Sequence, residues 1–126
     1  MDTCGLRRAV FFPNQLTRLG RAIVDMAEDY QAELVVPTMA VVEMELEIRR
    51  RKQIRQTFAQ FLAGLMERDY IRIEPLGTEQ VALLPTLLGI AELHDRIIVA
   101  HAISNDAPLM TSDHVMRDSG LVETVW

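Results

Sequence analysis

Four short apolar runs, ELVV, YIRIEPL, APLMTS and VETVW, are separated by segments whose apolar residues recur at helical spacing. No other feature limits the fold as strongly. Strands joined through helices pair in parallel, because a parallel connection must cross the sheet and a helix fills the crossing. The expected class is therefore α/β, with helices layered on a parallel sheet. Such sheets gather functional groups at the carboxyl ends of their strands. Residues just after each run are thus the place to look for chemistry.

The clearest helix is TRLGRAIVDMAEDY, with Thr17 as N-cap and Leu19, Ala22, Ile23, Met26, Ala27 and Tyr30 at helical spacing. ELVV should stop at Pro37, after which Thr38 caps MAVVEMELEIRRRK, with Met39, Val42 and Leu46 sharing a face. Ile54, Phe58, Phe61, Leu62, Leu65 and Met66 mark another helix. Ile71 and Ile73 lie on one side of the second strand and Arg72 on the other. TEQVALLPTLLGI opens with a cap at Thr78 and is broken at Pro85. DRIIVAHAISN is a helix with Asp95 placed to cap it, and HVMRDSG is a brief helix closed by Gly120.

With 126 residues and no repeat, low-complexity tract or linker, the chain reads as a single domain spanning 1–126. Its apolar runs fall short of the roughly 18 residues that cross a bilayer, so no membrane partner is expected. MDTCGLRRAVFFP lacks the basic start and apolar core of a secretory signal. The lone Cys4 cannot close an internal disulfide; both features point to a cytoplasmic protein. A net charge of -5 argues against bulk attraction to nucleic acid. Seven of the thirteen basic residues nevertheless lie between Arg49 and Arg72, opposed there only by Glu67 and Asp69. Local charge can matter where total charge does not.

Acids occupy the positions that the topology marks. Asp2 stands at the end of a would-be first strand, Glu43 one turn into the helix after ELVV, Asp95 at a helix start, and Asp113 after APLMT. Carboxylates meeting at one sheet edge repel one another unless a cation neutralises them, and hard oxygen donors suit Mg²⁺ or Mn²⁺. Each acid also has an ordinary reading. Asp95 is a favoured cap residue, Asp113 a turn former, and Asp2 part of a frayed end. Glu43 belongs to the series Glu43, Glu45 and Glu47, which can pair with Arg49 to Arg51. Spacing alone leaves a metal site as one candidate among several.

The stretch LHDRIIVAHAISNDAPLMTSDHVMRDSGLVETVW resembles the C-terminal half of a PIN domain, a family of metal-dependent ribonucleases. The likeness is carried by Asp95-Arg96 opening an Ile- and Ala-rich helix, by Ala107-Pro108-Leu109, and by Thr111-Ser112-Asp113. VVPTMAVVEMELE is similar to the family's central segment with its helical Glu, here Glu43, and MDTC to its opening Asp-Thr. The resemblance implies a three-layer fold, a central parallel sheet flanked by helices, with the first strand truncated because only Met1 precedes Asp2. It implies a Mg²⁺ or Mn²⁺ ligand set of Asp2, Glu43, Asp95 and Asp113, with Thr111 buttressing the site. Hydrolysis of RNA by an endoribonuclease follows, as the toxin of a toxin–antitoxin pair held silent by a cognate antitoxin, with a homodimer possible. The competing expectation is a catalytically impaired binding module, in which Asp2 is loosely held for want of that strand. A nuclease acting on structured DNA is a third.

The run RRRKQIR offers Arg49, Arg50, Arg51 and Lys52 as phosphate contacts, alongside Arg96. A solvated helix end, where cations suit the dipole, explains the run equally well. Arg7-Arg8 reads as a snorkelling surface pair. His94, His101 and His114 share no zinc-ligand spacing, and His94 reads as an exposed loop residue or a support for a nearby carboxylate.

Overall fold

The computed structural model describes residues 1–126. In chain order the helices are α1 (Thr3–Phe11), α2 (Arg18–Glu28), α3 (Thr38–Arg50), α4 (Phe58–Met66), α5 (Thr78–Leu83), α6 (Leu93–Ser104) and α7 (His114–Asp118). The strands are β1 (Leu34–Pro37), β2 (Ile71–Glu74), β3 (Leu109–Met110) and β4 (Thr124–Val125). Strands and helices alternate, and every strand pairing is parallel: the fold is α/β. The sheet is not continuous. β1 pairs with β2 and β3 with β4, forming two separate ribbons where one central sheet was expected.

The first two residues bond to both ribbons. The Met1 amine donates to the Val35 carbonyl at 2.9 Å, and the Asp2 N–H donates to the Met110 carbonyl at 3.1 Å. Two core clusters surround the ribbons, and Met110 of β3 belongs to the one around β1. Leu6, Val24, Ala40, Val41, Met44, Phe61 and Leu65 pack around β1. Leu87, Ile90, Ile98, Val99, Leu109 and Met116 pack around β3. All six residues from Ile97 to Ala102 are buried, so α6 is enclosed on every side, as a helix apolar all round must be.

Local chemistry explains most boundaries. Thr17 caps α2 by accepting from the Gly20 N–H, as expected. Thr57 and Gln60 form a capping box that starts α4 three residues after Ile54, which therefore lies in the preceding loop. Pro85 ends α5 in a tight turn, Leu84–Thr86, since it cannot donate the next helical bond.

Three expected caps are corrected. Pro37 holds the N-cap position of α3, while the Thr38 hydroxyl donates to the Glu74 carbonyl at 3.0 Å and ties α3 to β2. Gly77, not Thr78, precedes α5 and donates its N–H to Gln80. α6 begins two residues before Asp95, with Glu92 in the cap position. The apolar face of α3 is also different: Ala40, Val41 and Met44 are buried, whereas Val42 and Leu46 face solvent. α3 packs against α1 and α4, which selects the arc containing small Ala40 over its neighbour.

Candidate active site

Asp2, Glu43, Asp95 and Asp113 line one pocket of about 320 Å³, together with Thr3, Cys4, Ser112 and His114. These residues come from the N-terminus, α3, α6 and the turn after β3, so the fold joins what the sequence keeps far apart. The pocket sits at the carboxyl ends of β1 and β3, the edge to which a parallel sheet directs its loops.

Asp2 is the most firmly held of the four. It is 2% exposed, which overturns the reading of a frayed or loosely held end. Its Oδ1 accepts the Gly5 N–H at 2.6 Å as the N-cap of α1, and its Oδ2 accepts the Thr111 hydroxyl at 2.5 Å. Gly5 is needed there. A Cβ would lie 2.9 Å from the Met1 side chain and 3.3 Å from the Met110 carbonyl oxygen. Thr111 is wholly buried, and the oxygen that donates to Asp2 also accepts the Asp113 N–H at 3.0 Å. One hydroxyl thereby sets the spacing of two acids.

Asp113 does cap a helix, accepting the Val115 N–H at 2.7 Å through Oδ1, so its structural reading holds alongside its place in the pocket. Asp95 is different. It lies in the first turn of α6 without capping it, and its carboxylate takes no hydrogen bond from the protein. Burial first, and then the charges of Asp113, Glu43, Glu92 and Asp2, push its pKa above the ordinary 3.8. Burial likewise raises Asp2, against the lowering effect of Thr111 and Gly5.

Glu43 has two supports, of which His94 was among the expected alternatives and Thr3 was not. The Thr3 hydroxyl donates to its Oε2, and His94 Nδ1 stands 3.1 Å from its Oε1. His94 is in the first turn of α6 and not in a loop. The signal for Thr3 was present in the sequence, as a hydroxyl beside an acid. Its partner, 40 residues away, was not.

The expected basic contacts divide. Arg49 pairs with Glu45, and Arg51 with Glu47 at 2.7 Å, so the helix-end reading accounts for both. Arg50, Lys52 and Arg55 make no ion pair and line an open, wholly polar recess. Arg96 turns onto the chain instead, donating to the Ala91 carbonyl at 3.2 Å. Arg7 pairs with Glu47 at 2.5 Å and Arg8 lies 4.6 Å from the centre of the Trp126 ring, so neither is a free surface cation.

The chain matches the PIN domain model over residues 10–120, a span that includes Glu43, Asp95, Thr111 and Asp113. It belongs to the PIN-domain family. Members of this family are usually nucleases, hydrolases that cleave phosphodiester bonds. No curated protein and no solved structure matches the chain. No helix of this PIN domain is long and apolar enough to cross a membrane.

Whether the pocket suits a divalent ion turns on its donors. They are hard carboxylate oxygens, one without a hydrogen-bond partner and raised by burial and then by its acidic neighbours, a repulsion that Mg²⁺ or Mn²⁺ relieves. No three of the His, Cys, Asp and Glu side chains, however, stand close enough to ligate one ion together. Mg²⁺ characteristically takes one or two carboxylates and keeps several waters, so the donor set fits such an ion without a tighter cluster.

Proposed function

We propose that this PIN domain is a Mg²⁺- or Mn²⁺-dependent endoribonuclease acting on RNA, and the toxin of a toxin–antitoxin pair. The convergence of four sequence-distant acids on one pocket supports the nuclease reading, and the unpaired, repelled carboxylate of Asp95 supports it most. One or two of Asp95, Asp113 and Glu43 would hold the ion directly and the rest through its waters, with Asp2 completing the wall. Bound there, it would polarise a phosphoryl oxygen and supply an activated water. Thr111 keeps Asp2 and Asp113 at fixed spacing; Thr3 and His94 aim Glu43. Arg50, Lys52 and Arg55 are the cations left to meet a phosphate backbone. The toxin role rests on the likeness to small single-domain members of the family, with a cognate antitoxin as partner.

A second reading, an impaired module that binds without cleaving, is favoured by the spread of the acids. One variant separates the two. With millimolar Mn²⁺ the chain should cut a single-stranded RNA, and Asp95→Asn should lose about 100-fold or more of that rate while keeping its circular dichroism. Mn²⁺ should also raise the melting temperature of the parent but not of the variant. A parent chain that neither cuts RNA nor responds to Mn²⁺ is the impaired module. Cleavage confined to structured DNA would replace the substrate while leaving the site intact.

A further inference from the structure

Arg50, Arg51, Lys52 and Arg55, with Gln53, line an open recess that holds no apolar side chain. Its place relative to the acid pocket follows from α3, where Arg50 comes seven residues after Glu43. At about 1.5 Å and about 100° per residue, Arg50 projects within about 20° of Glu43 and roughly 10 Å further along the axis. The acid pocket and the basic recess therefore share one face of α3.

The ground between them is charge-balanced in favour of anions. Glu47, one turn on from Glu43, accepts from Arg7 at 2.5 Å and from Arg51 at 2.7 Å, so two guanidinium groups meet one carboxylate. Burial opposes ionisation of Glu47, but hydrogen bonds from Arg51 and Arg7 outweigh it and lower its pKa. Glu45, the other acid of this stretch, is taken by Arg49. Arg50, Lys52 and Arg55 thus keep their charges unopposed in a chain of net charge -5.

What the recess can hold is decided by what it lacks. Protein partners are held by apolar and aromatic anchors at the centre of the contact, and none is present. Phosphates bring charge and acceptor oxygens and need no apolar contact. Arg51 is fixed through its Nε by Glu47, and its terminal N–H groups remain to donate.

We propose that the recess is a distal phosphate subsite, holding the backbone of a single RNA strand on one side of the bond cut at the acid pocket. At roughly 3.4 Å of rise per stacked nucleotide, a span of about 10 Å is about three nucleotides, fewer for an extended strand. The subsite rests on the nuclease reading for the position of the cut. Its consequence is an asymmetric length rule. A strand that stops short of the recess on that side loses these contacts, whereas the strand on the other side of the cut can be trimmed without losing them.

The test compares the full chain with a triple variant, Arg50→Gln, Lys52→Gln and Arg55→Gln. All three side chains are exposed, so the fold should be retained, which circular dichroism checks. In EDTA, fluorescence anisotropy with a labelled single-stranded RNA of about twelve nucleotides reads binding without cleavage. The variant should bind about tenfold or more weakly, and its slope of log K against log salt should be shallower by about 2, at roughly 0.7 per phosphate contact. With Mn²⁺, RNAs trimmed from either end compare cutting. The parent's kcat/KM should drop about tenfold once one end, and not the other, comes within about three nucleotides of the cut; the variant should lack that step. An unchanged salt slope overturns the proposal, as does a length step that survives in the variant or a loss equal at every length. Displacement of the RNA by a Glu-rich peptide at lower concentration than by unlabelled RNA also overturns it, assigning the recess to an acidic partner. If the parent cuts no RNA, the nuclease reading fails separately, and the binding arm alone decides: the slope difference upholds a phosphate site and its absence overturns it.

Discussion

Replacing Thr111 by Val removes one oxygen atom and nothing else of consequence to packing, since the two side chains have the same shape. In this protein that oxygen makes two hydrogen bonds while wholly buried. Losing a bond to a charged acceptor costs roughly 1.5–3 kcal/mol, and stranding the Asp113 N–H costs about 1 kcal/mol more. The total, about 2.5–4 kcal/mol, is a large share of the roughly 5–15 kcal/mol typical of a domain's stability. For a domain of this size it corresponds to a fall of about 10–15 °C in melting temperature.

The loss should depend on pH. Thr111 is what holds the Asp2 pKa down against burial, so the variant's Asp2 keeps its proton to higher pH. The deficit should be full above the variant's Asp2 pKa, which lies above the parent's, and shrink as acid protonates both proteins. Urea denaturation at neutral and acid pH reads this out. Thr111→Ser, which keeps the hydroxyl and loses a methyl, should cost only about 1 kcal/mol. A Val variant within about 0.5 kcal/mol of the parent, or a Ser variant as poor as Val, would refute the account.

Three further outcomes are expected. Without metal, Asp95→Asn should be more stable than the parent at neutral pH. A carboxyl raised above 3.8 in the folded state loses stability as pH climbs through that raised value, and the amide does not; melting in EDTA across pH checks it. Burial opposes ionisation of Glu74, but hydrogen bonds from His101, Arg72 and Asn105 outweigh it and bring its pKa down to about 2. Its contribution should thus be intact above the ordinary 4.5 and disappear as pH falls toward 2, a step that Glu74→Gln should abolish in acid denaturation curves. Gly5→Ala should destabilise by about 1–3 kcal/mol in urea melts, because the Met110 carbonyl oxygen at 3.3 Å is backbone and cannot swing aside.

Much of the fold was legible because it depends on local signals: β-branched runs, Thr17, Pro37 and Pro85 act over a few residues. The faces of α2 and α3 were not. An apolar stripe shows that a helix has an inside, but the neighbours decide which edge of the arc is buried, and those neighbours are remote in sequence. The separate ribbons escaped for the same reason, since pairing is a tertiary matter. At the site, topology and resemblance indicated the four acids. Thr111 was indicated as a support, but its partner was hidden, as was Thr3 altogether, because Thr3 with Glu43 and Thr111 with Asp2 are side-chain pairs that span 40 and 109 residues. Asp95 was mistaken for a cap because a helix boundary read from sequence drifts by a residue or two.

The acid pocket is mechanically lopsided. Asp2 is gripped at both oxygens and Asp113 at one, while Asp95 has no anchor at all. One jaw is stiff and the opposing one compliant. An entering cation would find its position dictated by the stiff side, and the swing of Asp95 would decide how large a radius is tolerated. Discrimination between ions at this centre would then reside in α6, and changes to the packing of that helix would retune it without touching a single carboxylate.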